Sequence, residues 1–181
     1  MRNLLMILLV IVFTTACKEE VLFDFEENLA SELAEINAFL DTNNIDADIS
    51  NSELRYRITE QGNGVFADSR DSIFMNFQMY FLDSVLIDSN IEEVLVRENA
   101  ERGPTSPFAQ FIQTEIEDLS LILCFEEAMS LASEGASIQM FVPSHLAYGS
   151  RGANFSPYTP RILPYTPLLV QIDVLRIVKG D

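Results

Sequence analysis

LILCFEEAMSLASEGASIQMFVPSHLAYG, residues 121–149, is the stretch whose reading decides the fold. Ile122, Phe125 and Met129 recur at helical spacing, with Glu126 and Glu127 on the wet side, which predicts a short helix. Gly135 can take the positive φ that closes such a helix. Ile138 to Val142 is too short and too apolar for anything but a buried strand. Pro143 then opens a loop that ends in Ala147-Tyr148-Gly149.

Strands are expected on either side. Downstream, Leu168 to Val178 alternates as a closing strand, after Ile162-Leu163-Pro164-Tyr165-Thr166-Pro167. Upstream, Ile73 to Leu82 places Ile73, Met75, Phe77, Met79 and Phe81 on one face, with Asn76, Gln78 and Tyr80 on the other. Glu53 to Ile58 reads as the first strand, turned by Gln61-Gly62-Asn63-Gly64.

The order of these pieces resembles the FKBP-type peptidyl-prolyl isomerases. Leu121-Ile122-Leu123-Cys124-Phe125-Glu126-Glu127-Ala128 stands for that family's Val-Ile-x-Gly-Trp-x-Glu-Gly, and Pro143 to Gly149 for its Pro-x-x-x-Ala-Tyr-Gly. Ile162 to Val170 stands for its Ile-Pro-Pro-x-x-x-Leu-Val-Phe. Phe77 to Ser89 keeps the spacing of its Tyr-x-Gly-x-Leu-x-Asp-Gly-x-x-Phe-Asp-Ser, with Met79 and Ser84 at the two glycines and Ile87 at the Phe. The resemblance implies an α+β fold, an antiparallel sheet curved around one short helix, and a pocket for prolyl-containing polypeptides. It implies a donor hydroxyl on Tyr148, a pocket carboxylate on Asp88 and a floor on Phe125. The walls it implies are Phe77, Ile87, Leu121, Ile122, Ile162 and Val170, joined by either Phe108 or Phe111. Phe125 replaces a Trp and Val170 a Phe, so a wider pocket is expected. Phe77 lacks the hydroxyl that pairs with the family's aspartate. Such a site calls for no cofactor and no metal.

Composition narrows the alternatives. Lys and Arg number 11 against 28 Asp and Glu, a formal charge of -17, and a surface of that sign repels phosphate backbones. Cys17 and Cys124 are the only cysteines, so no disulfide framework exists. His145 is the only histidine and lacks the companions of a triad or a His-based metal site; it reads as a loop residue. Cys124 reads as a buried thiol, and the adjacent acidic pairs as solvated charge.

The N-terminus carries a leader. One Arg, an apolar run from Leu4 to Phe13 and Thr14-Thr15-Ala16 before Cys17 have the anatomy of a secretory signal. The small residue followed by Cys resembles the bacterial lipobox, which implies acylation of Cys17; an ordinary signal with an incidental Cys is the plain alternative. Lys18-Glu19-Glu20 resembles the export signal of Bacteroidetes surface lipoproteins. Phe23 to Leu40 is an amphipathic helix with Leu29, Leu33, Ile36 and Leu40 on one stripe and Glu26, Glu27, Glu32 and Glu35 elsewhere. That stripe docks on the chain's own domain or on a partner; a single stripe does not stabilise a free helix. Asp41 to Ser52 is polar and reads as a linker.

The expected organisation is therefore a signal peptide over 1–16, an anchored tether with helix and linker over 17–52, and an FKBP-like domain over 53–181. The expected function is prolyl isomerisation and folding assistance in the bacterial envelope, at the outer membrane, as in FKBP-like lipoproteins of the gliding-motility type. The alternatives are a catalytically weak binding or chaperone module for Pro-containing or apolar segments, and a structural lipoprotein. Oligomeric state is not legible in the sequence.

Overall fold

The protein is seen in a computed structural model that describes residues 16–68, 71–100, 110–113, 123–155 and 159–180, with side chains described from Phe25 onward outside 110–113. Residues 1–15, which carry most of the expected signal peptide 1–16, lie outside the described residues, as do Phe108, Leu121 and Ile122 and the side chains of Cys17 and Phe111.

The order along the chain is helix α1 (Ala16–Asn43), strands β1 (Asp48–Ile49), β2 (Arg55–Glu60), β3 (Ser72–Phe81) and β4 (Leu86–Ser89), helix α2 (Glu92–Arg97), strand β5 (Gln110–Gln113), helix α3 (Leu123–Leu131) and strands β6 (Ser137–Val142) and β7 (Leu168–Val178). They build one antiparallel sheet in the order β1-β2-β6-β7-β3-β4, with β5 also on β3. β4 pairs with Gln78 to Tyr80 and β5 with Ser72 to Met75, so the two share the outer edge of β3. Side chains bridge the interval between them. Asn90 accepts from the Phe77 N–H (2.8 Å) and donates to the Met75 carbonyl (2.9 Å), and the Ser89 hydroxyl donates to the Phe77 carbonyl (2.8 Å). No buried backbone group on that edge can be left unpaired without cost, and these two residues meet the need.

The alternation of β3 is realised. Ile73, Met75, Phe77 and Met79 face the inner core, where Cys124, Phe125, Ala128 and Met129 of α3 pack on them together with Ile138, Met140, Val170 and Ile172. Glu126 is exposed and Glu127 half-buried, as the helical spacing predicts. Gly135 closes the turn after α3 at φ +82° and donates to the Val174 carbonyl at 2.7 Å.

The opposite face of the sheet is also covered. Ile36 and Leu40 of α1 join Tyr80, Leu86, Phe141 and Leu169, with Val94 and Leu95 of α2. The stripe thus docks on its own sheet, and α1 runs longer than the helical pattern of Phe23 to Leu40. Glu32 departs from the expected polar side: it is buried on the docking face, 5% exposed, because Ser144 supplies hydrogen bonds to its carboxylate. The polar run 41–52 holds the short strand β1, paired to β2. Among the described residues no helix is long and apolar enough to cross a membrane.

Candidate functional site

Strand β4 and the segment after β6 converge on the inner end of the core. Asp88 lies directly across from Met79, which pairs in turn with Val170, and Val170 with Met140, so these four form one row across the sheet. Phe77, two residues before Met79 on the same face, meets Phe125 of α3 edge to face, ring centroids 5.7 Å apart at 80°. Ile87 and Ile162 belong to the same buried cluster. Of the expected site residues, Phe77, Ile87, Phe125, Ile162 and Val170 are members of the inner core cluster, and the half-buried Tyr148 packs against it. Asp88 is held beside them by its position in β4.

After Pro143 the chain makes a 3₁₀ turn over Ser144–Leu146 and a second over Gly149–Arg151. Tyr148 sits between the two, and its hydroxyl donates to Met79 Sδ at 3.8 Å. Its ring meets Phe155 edge on, centroids 5.3 Å apart. Burial, the Cys124 sulfur and the Asp88 carboxylate all push the phenol's pKa up, so it stays protonated. It is a donor, never a phenolate base. A thioether is a weak acceptor, so a carbonyl oxygen can displace Met79 from that hydroxyl at little cost.

Phe155 and Ile162 are brought to the site by the chain doubling back, with paired hydrogen bonds of 2.9 Å between Ala153 and Ile162. Gly152 makes this possible: at φ +62° a Cβ there would collide with the backbone of Ile162 and Leu163.

Residue 77 is Phe, so the hydroxyl that the resemblance implies for Asp88 does not come from that position. The Oδ1 of Asp88 accepts the backbone N–H of Ser89 at 2.8 Å. The expected wider pocket is also qualified. Phe77, Ile87, Phe125, Ile162 and Val170 are each no more than 5% exposed, and Met79, standing where the resemblance has Gly, packs among them at 3%. Met79 is paired with Val170 across the sheet and reaches the Tyr148 hydroxyl, so a bulky side chain stands where the resemblance has none. Met79, Asn90 and Phe155 were not singled out as site residues from sequence. A side chain at a glycine position was the available signal for the first, and nothing in the pattern marked the other two.

Cys124 is fully buried and its thiol pKa is pushed up, first by desolvation, so it is no nucleophile. An open cleft of about 380 Å³ lined by Glu60, Ser137, Asp173 and Leu175 lies at the other end of β6 and β7, away from Tyr148.

No protein-family model matches the chain. A curated relative, the FKBP-type 22 kDa peptidyl-prolyl cis-trans isomerase of Escherichia coli (strain K12), is 25% identical over 127 residues, 70% of this chain and 51% of that protein. The chain therefore spans about half the length of that relative. Among solved structures, a peptidyl-prolyl cis-trans isomerase of Pseudomonas syringae pv. tomato aligns with a TM-score of 0.58 at 17% identity, over 83% of this chain and 96% of that one. FkpA of Escherichia coli aligns with a TM-score of 0.59 at 16% identity, over 97% of this chain and 73% of that one. The fold is FKBP-like, and over 70% of the chain the sequence is similar to that of an FKBP-type peptidyl-prolyl isomerase.

Proposed function

We propose that this chain is a peptidyl-prolyl cis-trans isomerase that assists folding in the bacterial envelope, tethered there by an acylated Cys17. The observation that carries the reading is the Tyr148 hydroxyl, whose one hydrogen-bond partner among the described residues is the Met79 thioether, on a ring packed against the core that holds the Phe77–Phe125 pair. Resonance holds a peptide bond planar against a barrier of ~18–20 kcal/mol, and the prolyl bond exchanges over tens of seconds. Lowering that barrier needs no nucleophile or metal. Apolar walls around the proline ring favour the twisted, less polar amide over the planar one. The Tyr148 hydroxyl takes the substrate carbonyl and fixes its orientation.

The test is the refolding rate of a proline-limited protein with and without this chain, beside Tyr148→Phe. Wild type accelerates the slow phase; the variant loses one neutral hydrogen bond, about 0.5–1.5 kcal/mol, or up to roughly tenfold in kcat/KM. Equal rates for the two proteins would remove Tyr148 from the mechanism. The packing of Met79 among the walls favours a second reading, a binding module for Pro-containing segments that turns them over slowly. Binding of such segments without any acceleration would select it.

The anchor rests on the leader pattern and on Cys17. Cells fed labelled palmitate should incorporate it into the wild-type protein at the membrane fraction and not into Cys17→Ser. Equal labelling of both would sink acylation at that residue. The Lys18-Glu19-Glu20 signal supports a Bacteroidetes-type lipoprotein at the outer membrane, with prolyl-containing polypeptides of that compartment as substrates.

A further inference from the structure

The loop that carries Tyr148 is gripped from α1. Both oxygens of the Glu32 carboxylate are taken by one residue: the Ser144 N–H donates to Oε2 at 2.5 Å and the Ser144 hydroxyl to Oε1 at 2.8 Å. Both residues are buried, Glu32 at 5% and Ser144 at 3% exposure. Ser144 begins the 3₁₀ turn that leads into Tyr148. The next residue, His145, is held from the same segment of chain. Its Nε2 lies 3.1 Å from the Ser52 carbonyl, and its ring meets Phe25 of α1 edge on, centroids 5.9 Å apart. Residues 25–52 therefore hold two successive residues of the pocket loop, whereas among the described residues the Tyr148 hydroxyl is hydrogen-bonded to Met79 alone.

A carboxylate on a docking stripe costs desolvation that a leucine there would not incur. What it provides in return is direction. Charge-assisted hydrogen bonds are short and angular, and two of them to one residue fix its backbone where an apolar contact would let it slide. We propose that Glu32 is a positioning residue for the site: it sets the loop so that the Tyr148 hydroxyl faces the substrate carbonyl. Helix α1 is then part of the site rather than a spacer between anchor and domain. This rests on the isomerase reading of Tyr148, and the experiment has an arm that does not.

A double-mutant cycle on the full chain, assayed at a temperature where circular dichroism shows every variant folded, provides the first arm. Glu32→Ala should lower kcat/KM roughly three- to tenfold, and no more than Tyr148→Phe does, because it acts through that one hydroxyl. In the Tyr148→Phe background the same substitution should cost less than about twofold, the signature of a shared route. Glu32→Gln keeps one acceptor oxygen and should fall between wild type and Glu32→Ala. Loss of the same size in both backgrounds would mean that Glu32 is only a core contact, and would overturn the proposal. The second arm is fluorine NMR of protein labelled with 3-fluorotyrosine, with the Tyr148 signal identified by its absence in Tyr148→Phe. Glu32→Ala and Ser144→Ala should both displace or broaden that signal. An unmoved signal in both variants would overturn the proposal, whether or not the wild type proves active. Inactivity with a displaced signal would retire the isomerase reading and leave the clamp standing.

Discussion

Phe125→Ala is expected to lower the free energy of unfolding by ~3–5 kcal/mol and to reduce prolyl-isomerase turnover at least roughly tenfold where the protein is still folded. The ring is 5% exposed in the inner core and meets Phe77 edge to face, so its removal opens a cavity between α3 and the sheet. Neighbours collapse into such a space only in part, which is why the cost exceeds the transfer energy of the lost carbons. The same ring is the floor of the proposed pocket, so both effects come from one atom group. Urea titration separates them: the midpoint should fall with an unchanged slope, and activity measured well below that midpoint should remain depressed. Phe125→Trp is the counterpart. It restores the size of floor that the resemblance implies, but Phe125 and Met79 are buried in the same packed core, so strain of about 1–3 kcal/mol is expected, and shortening Met79 in the same protein should relieve it. A Phe125→Ala protein of unchanged midpoint would show that the ring is not in the core.

Phe141→Ala should cost a similar ~3–5 kcal/mol, from the other side of the sheet. Phe141 is fully buried and lies against Phe39 of α1, centroids 5.8 Å apart, in the cluster that includes Ile36 and Leu40. Ile36→Ala in the same cluster should cost ~2–5 kcal/mol. The two losses should not add in the double variant, because each removes packing partners of the other. A loss below about 1 kcal/mol for Phe141→Ala would mean that α1 does not cover this face, and would remove the basis for any grip of α1 on the pocket loop.

The inner layer was legible because its periodicities are unmixed. Ile73, Met75, Phe77 and Met79 alternate without exception, and Phe125 and Met129 keep helical spacing with charge beside them. The outer layer was only half legible. Met140-Phe141-Val142 is apolar at three successive positions, which signals a strand buried on both faces, yet nothing local says what covers Phe141. The covering helix lies far upstream, and the contact is a tertiary fact. The sequence sets Glu32 off the apolar stripe because a carboxylate is solvated unless something donates to it, and its donors belong to Ser144. Asp88 was found from motif spacing, whereas its hydrogen bond from the Ser89 backbone follows from the β4 conformation alone. Met79 is visible as a departure from glycine, but only the structure shows it buried in the cluster that holds Phe125 and Val170.

Exchange NMR on a short X-Pro peptide tests the site most directly, since it observes the reacting bond without a coupled protease or a folding substrate. At mixing times well under the tens of seconds of the uncatalysed reaction, the peptide alone gives no cis–trans cross-peaks. Addition of substoichiometric wild-type protein should produce them, with Tyr148→Phe giving weaker ones at equal concentration. Cross-peaks absent with the folded wild-type protein, across peptides with several residues before the proline, would contradict catalysis at this site.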